Sequence, residues 1–244
     1  MEFTNSIKKY IRSLHQRKHR QKYDKFIAEG PKVCKEFLMC KAYEIEYILA
    51  LPDWIERNQE LLADYKDYLY PIKAKELQQL SLLKTPNQLI SVWSMEQSIP
   101  EGPSAWSLYL DGIRDPGNLG TMIRIADWFG ISTIYATSDS VDYYNPKVVQ
   151  GAMGSHNRVE LKVATLEELW ALNKAVYGLV LDGEDLSSLT PSEPGIIAIG
   201  NESKGLSSDL ISNLTYRCTI RRRGGAESLN AAIACGIACQ NLIP

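Results

Sequence analysis

The 244-residue sequence predicts an α/β protein built on a mostly parallel sheet and preceded by a smaller α/β unit. Helix-like and strand-like segments alternate along the whole chain, the mark of layered α/β folds. After Trp106 the strand-like runs are apolar throughout rather than alternating, so helices are expected on both faces of the sheet and its strands are expected to be parallel. The alternation breaks once, at the polar stretch holding Pro100, Gly102 and Pro103. The boundary is placed there, giving a domain over residues 1–98 and another over 104–244.

The first unit reads as a basic helix, a short strand around Phe26 to Ala28, a helix over Lys32 to Cys40 and the strand YEIEYILAL. DWIERNQELLADY then has helical periodicity, DYLYPIKA reads as a strand, KELQQLSLL as a helix and NQLISVWSM as a strand. In the second unit SLYLDGI, ISTIYAT, RVELKVA, VYGLVLD, GIIAIG and RCTIR read as strands. NLGTMIRIADWFG, PKVVQGAMG, LEELWALNKA, LSSDLISNL and SLNAAIACGIACQNLI read as the helices between and after them.

Composition narrows the class. With 45% hydrophobic and 23% charged residues the chain is neither disordered nor fibrous, and no apolar run approaches the roughly 18 residues of a membrane helix. The basic N-terminus has no apolar stretch behind it, so neither a secretory signal nor an anchor is expected and the cytoplasm is the expected location. Five cysteines, an odd number, fit a reducing compartment. Cys235 and Cys239 have a spacing that suits metal ligation, yet no His or second Cys pair lies nearby in sequence; small buried thiols, and no metal, are the expectation.

The net charge of −2 is unevenly spread. Residues 1–25 carry eight basic groups (Lys8, Lys9, Arg12, Arg17, Lys18, Arg20, Lys22, Lys25) against Glu2 and Asp24, and Arg221, Arg222 and Arg223 form a second focus. Both patches suit phosphate contacts, with Lys18 and Arg20 as candidates in the first; a solvated surface is the bland alternative. His15 and His19 are read as polar helix residues or RNA contacts rather than metal ligands.

Ligands of open parallel sheets bind outside the carboxyl ends of the strands, which directs attention to three loops. LDGIRDPGNLG leads into a helix carrying Asn118, Gly120 and Arg124, where Arg124 alone reads as a surface residue. AIGNESKGLSSDL offers Gly200 and Gly205 for close backbone approach, Glu202 as a carboxylate and Ser207 as a helix cap. RRRGGAESLNAAIACG brings Glu227, Ser228 and Asn230 to the mouth of a small-residue helix, with Ser228 as a candidate cap. No phosphate loop, dinucleotide fingerprint or nucleophile elbow is present, which excludes nucleoside triphosphatase, dehydrogenase and serine-hydrolase readings.

Taken in order, Asn118-x-Gly120-x3-Arg124, then Gly200-Asn201-Glu202-x2-Gly205-Leu206, then Ile220 with Glu227-Ser228-Leu229-Asn230, resemble the three motifs of the SpoU/TrmH family of RNA ribose 2'-O-methyltransferases, in the SPOUT superfamily. The resemblance spans residues 104–244, and FIAEGPKVCKEF is similar to the small substrate-binding domain that precedes the catalytic domain in many members. It implies a C-terminal trefoil knot, S-adenosylmethionine held by backbone at Gly200, Ile220 and Leu229, no metal, a homodimer paired through the C-terminal domain, and ribosomal or transfer RNA as substrate. It also implies that Arg124, Asn118, Glu202, Ser228 and Asn230 form the catalytic set. Arg124 is usually assigned as general base, although a guanidinium that stays protonated to a pKa above about 12 suits an electrostatic fork better. Arg221 and Arg222 stand where the family has Pro and often Met, Ser203 where Gly is common, and QGAMGSHNRVE is an atypical version of a Ser-rich stretch near the substrate. Two other functions stay open at this point: a catalytically silent RNA-binding protein and a knotted base methyltransferase.

Overall fold

The structure, a computed structural model, describes residues 3–98 and 106–244; the expected linker at Pro100, Gly102 and Pro103 lies outside the described residues. The chain divides into two compact units, Met1–Ile99 with Asp142–Asn157, and Pro100–Val141 with Arg158–Pro244.

The first unit begins with α1 (Asn5–Ser13), capped by the Thr4 hydroxyl, and α2 (Arg17–Tyr23). The single basic helix expected from the sequence is thus broken at residues 14–16. Arg20 makes the break tolerable: its Nη1 donates to the Leu14 and His15 carbonyls at 2.9 Å each, satisfying acceptors that a continuous helix would have bonded internally. There follow β1 (Lys25–Glu29), α3 (Pro31–Cys40, started by Pro31), β2 (Tyr43–Ala50), α4 (Pro52–Arg57), β3 (Leu69–Pro71), α5 (Ala74–Leu80) and β4 (Leu89–Gln97). The helix expected over DWIERNQELLADY ends at Arg57, and the chain resumes as a 3-10 turn at Ala63–Tyr68. The sheet order is β1-β4-β2-β3, with β4 antiparallel to both neighbours and β3 parallel to β2.

The second part of the chain supplies β5 (Ser107–Asp111), α6 (Pro116–Trp128), β6 (Thr133–Ala136), α7 (Pro146–Ala152), β7 (Glu160–Val163), α8 (Leu166–Ala171), β8 (Val176–Asp185), β9 (Ile196–Gly200), α9 (Ser208–Ser212), β10 (Tyr216–Thr219) and α10 (Ala231–Leu242). Its sheet is parallel at every pairing, in the order β10-β8-β9-β5-β6-β7. The apolar strands mark its centre: Leu108, Tyr109 and Leu110 of β5 and Ile196, Ile197 and Ala198 of β9 are fully buried. The edge is looser. Along β8 the pairing with β10 jumps from Gly178 opposite Arg217 to Glu184 opposite Cys218, so residues 179–183 bulge from the sheet and leave Leu181 exposed. At Gly183 a Cβ would strike the Arg217 carbonyl, which reserves that position for glycine.

One segment departs from a simple two-part division of the sequence. Helix α7 and the turn Ser155–Asn157 pack with the first unit, where Val149 joins a core of Phe26, Phe37, Tyr43 and Trp93. His156, part of the stretch expected near the substrate, is fully buried in this core. Its Nε2 lies 2.9 Å from the Tyr143 carbonyl and its ring lies against Phe37 and Tyr144.

Candidate active site

Three loops at the carboxyl ends of β5, β9 and β10 meet through side chains. Asp115 caps α6, accepting from the Asn118 amide at 2.8 Å, and so places Asn118 in the first turn of the helix. The Asn118 side chain then works in two directions. Its Nδ2 donates to Glu202 Oε1 at 2.6 Å, and its Oδ1 accepts from Asn230 Nδ2 at 2.8 Å. Asn230 in turn accepts, through Oδ1, from the Ala232 and Ile233 amides and caps α10. The direction of each bond follows from the first: an ionised carboxylate only accepts, so it faces the Asn118 NH2 group, and this leaves each later amide one consistent orientation. The expectation that Ser228 caps the last helix is corrected here, because Asn230 holds that place. Ser207 sits at the cap position of α9 but makes no side-chain cap bond; its amide donates to Asp111 Oδ2 at 2.7 Å.

The loop after β9 folds back on its own strand. Asn201 and Gly205 exchange backbone hydrogen bonds of 3.0 and 2.8 Å, and Asn201 Oδ1 accepts from the Ser203 and Lys204 amides. Gly205 turns with φ +71°, a region that favours glycine. A Cβ on Gly200 would overlap the Gly205 carbonyl carbon and the Leu206 nitrogen, so the chain's own backbone demands glycine here before any ligand does. Asn201 Nδ2 also donates to the Gly112 carbonyl at 2.7 Å, tying this loop to the one after β5.

The loops after β9 and β10 and the β8 bulge enclose a cavity of about 860 Å³. Gly200, Ile220 and Leu229, the three positions expected to hold a cofactor, all line it, as do Glu202, Ser228 and Arg221, Arg222 and Arg223. Asn118 and Asn230, bonded to each other, do not line it. Arg124 is not in the lining either. It is exposed on α6, in line with Gly117, Thr121 and Trp128, and its side chain makes no hydrogen bond or ion pair among the described residues.

Charge at the rim is partly spoken for. Arg221 Nε lies 3.1 Å from Asp185, and Arg217 Nη2 lies 2.8 Å from both oxygens of Asp182. The Arg217 bond holds the Asp182 carboxyl below its ordinary pKa; the Ser187 amide does the same for Asp185, with Arg221 adding to it. Sequence reading missed Asp182, Asp185 and Arg217 because nothing in sequence announces the bulge that brings them to the rim. In the first unit, Lys18 is exposed as a phosphate contact requires. The same expectation for Arg20 is corrected: its side chain is 2% exposed, and besides the two carbonyls it pairs with Asp142, so it has no free face for RNA.

Comparison with known proteins identifies the architecture. Residues 105–240 match the SpoU rRNA Methylase family, and residues 5–91 match the MRM3-like substrate binding domain. The chain belongs to the SpoU rRNA methylase family. It is 30% identical to the 23S rRNA (guanosine(2553)-2'-O)-methyltransferase RlmP of Bacillus subtilis, over 95% of this chain and 93% of that one. A TrmH-family structure from Porphyromonas gingivalis is similar at 31% identity and TM-score 0.84, covering 99% and 98% of the two chains. The AdoMet-bound rRNA methyltransferase from Sinorhizobium meliloti is similar at 28% identity and TM-score 0.86, covering 99% and 95%. Among the described residues of this SpoU chain, no group of three or more His, Cys, Asp or Glu is arranged to hold a metal ion, and the cysteines are free thiols, with Cys235 and Cys239 buried on α10.

Proposed function

We propose that this chain transfers the methyl group of S-adenosylmethionine to a ribose 2'-hydroxyl of RNA, with ribosomal RNA as its substrate class. The observation that carries the reading is the Glu202–Asn118–Asn230 clasp, which ties three motif loops together, two of them lining one cavity. The cavity suits the cofactor. Its volume falls within the range of about 300–1,000 Å³ usual for small-molecule sites. Leu179, Val180, Leu206, Ile220 and Leu229 provide apolar wall for an adenine ring, and Gly200 has only backbone to present to it.

When bound, S-adenosylmethionine supplies a methyl group activated by the positive sulfonium. The chain's own groups position the acceptor and stabilise its developing oxyanion. Glu202, Asn118, Asn230 and Ser228 shape the acceptor side. Arg124 acts as a planar fork on the target phosphate and the forming alkoxide rather than as a base, because guanidinium groups in proteins do not serve as proton acceptors. Its exposed position outside the cavity lining supports a site completed by a second copy, hence a homodimer paired through the SpoU domain. A trefoil knot belongs to the same reading: β10 joins the sheet edge beside β8, and α10 then packs on α6 and β9, a path that C-terminal threading would require. Lys18 and the Arg221–Arg223 run meet RNA phosphates. No helix among the described residues is long and apolar enough to cross a membrane, and the reading places the protein in the cytoplasm, where its RNA is.

The test is methyl transfer from labelled S-adenosylmethionine to ribosomal RNA followed by nucleoside digestion. Label is expected in 2'-O-methylnucleosides. Label in base-methylated nucleosides, or cofactor binding without transfer to any RNA, overturns the proposal. Arg124→Ala should lower transfer by about a hundredfold or more while calorimetry finds cofactor affinity unchanged. Arg124→Lys should remain equally impaired at every pH, whereas partial activity rising with pH would assign the base role instead.

A further inference from the structure

In the first unit, α1, α2, β2 and β3 assemble a run of aromatic rings that leads from the core to the surface. Tyr70 packs on Tyr47 with ring centroids 5.5 Å apart, and Tyr47 on Tyr10 at 6.2 Å. Tyr10 then meets Tyr23 edge-on at 5.1 Å and 81°, and His19 stacks with Tyr23 at 6.1 Å and 13°. Tyr70 is buried, while Tyr23 at the end of α2 is 39% exposed. The run is anchored, because the Tyr10 hydroxyl donates to Glu46 at 2.8 Å and fixes the ring that sets the orientation of Tyr23. An exposed tyrosine held this way gives up little rotamer freedom on binding, which favours a flat ligand. Arg17, Lys18 and Lys22 of the same helix are exposed, with Asp24 the only acid between residues 17 and 25.

We propose that Tyr23 is a stacking platform for an unpaired base of the RNA substrate, with Lys18 and Lys22 taking the flanking phosphates. The proposal rests on the reading of this chain as an RNA-modifying enzyme and names where its first unit grips the strand. The basic surround selects a polyanion, and a ring face can be covered only by a base that is itself out of a helix, which selects unpaired RNA over duplex. The Lys22 ammonium sits 5.1 Å from the Tyr23 ring centroid and occupies the platform in the absence of RNA. An exposed cation–π contact is weaker than a base–aromatic stack, so an arriving base displaces the ammonium, and the freed charge gains a phosphate.

The experiment uses the full chain and a 12-nucleotide single-stranded RNA with a central 2-aminopurine, beside the same RNA in a duplex. Wild type and Tyr23→Phe should bind the single strand and quench its fluorescence. Tyr23→Leu, which keeps an apolar contact for Tyr10, and Tyr23→Ala should lose the quenching and bind about fivefold to a hundredfold more weakly. Melting curves confirm that each variant is folded. Lys22→Gln should still quench but reduce the slope of log affinity against log salt by about 0.7, the share of one phosphate. Tyr23→Leu matching Tyr23→Phe in both affinity and quenching overturns the platform alone. A wild-type chain that binds neither RNA form overturns the RNA reading with it.

Discussion

Asn118 shows what a residue-by-residue reading reaches and where it stops. Its place in a motif was legible, but its role as the amide joining Glu202 to Asn230 depends on loops 84 and 112 residues away in the chain. His156 is the opposite case, a residue whose sequence context pointed to the substrate and whose side chain lies in a core. Burial lowers its pKa to about 4, against the opposing influence of the Tyr143 carbonyl and Asp142. The consequence for stability has a definite sign. The unfolded imidazole takes a proton as pH falls below about 6.5, whereas the folded one resists until about 4, so the unfolded state binds more protons across that window. The contribution of His156 to stability is flat above pH 6.5 and is lost between 6.5 and 4, on the order of 3 kcal/mol in all. Urea midpoints at pH 7.5 and 5.0 test this against His156→Phe, which keeps the ring contacts. His15, lowered by burial, and Glu29, raised by burial, titrate in both proteins, so the difference between them isolates His156. Equal pH slopes in the two proteins would reject the assignment.

At the scale of elements, the apolar strands and their helices were legible because burial on both faces leaves a composition that no other element shares. What periodicity could not supply were the interruptions. The break between α1 and α2 depends on the Arg20 guanidinium, and the bulge of residues 179–183 depends on Gly183 lying against Arg217. The turn after β9 was recognised by its glycines but for an incomplete reason: its constraint comes first from the protein's own backbone. This separates two glycines that line the same cavity. Gly200→Ala places a methyl inside the Gly205–Leu206 backbone and should lower both thermal stability and S-adenosylmethionine affinity, the strain costing about 1–3 kcal/mol. At Gly224 an added Cβ meets nothing within 4 Å, so Gly224→Ala should fold and melt like the wild type. Calorimetric melting with a cofactor titration checks both; equal behaviour of the two variants would remove the steric account.

For the whole molecule, the sequence pointed to two units and could not foresee that Asp142–Asn157 packs with the first, since the apolar residues of α7 serve equally well in either core. The small-residue stretch of α10 was likewise ambiguous between an internal helix and a pairing surface, and the structure divides it. Ala231, Ala232, Cys235, Ala238, Cys239 and Leu242 are buried within the monomer, whereas Ile233 is 56% exposed. On α6, which packs against α10, Trp128 is 85% exposed one turn beyond Arg124. Large apolar side chains so open on two adjoining helices are what a second copy would cover, and the same pairing would carry Arg124 toward the partner's cavity. Light scattering of the full chain should therefore give a dimer at micromolar concentration, and Trp128→Glu, which puts a charge into that contact, should shift it to monomer. Because each site would lose its second contributor, the monomer should retain cofactor binding yet lose methyl transfer in proportion to the dimer lost. A Trp128→Glu protein that is monomeric and fully active would show that one copy completes the site alone.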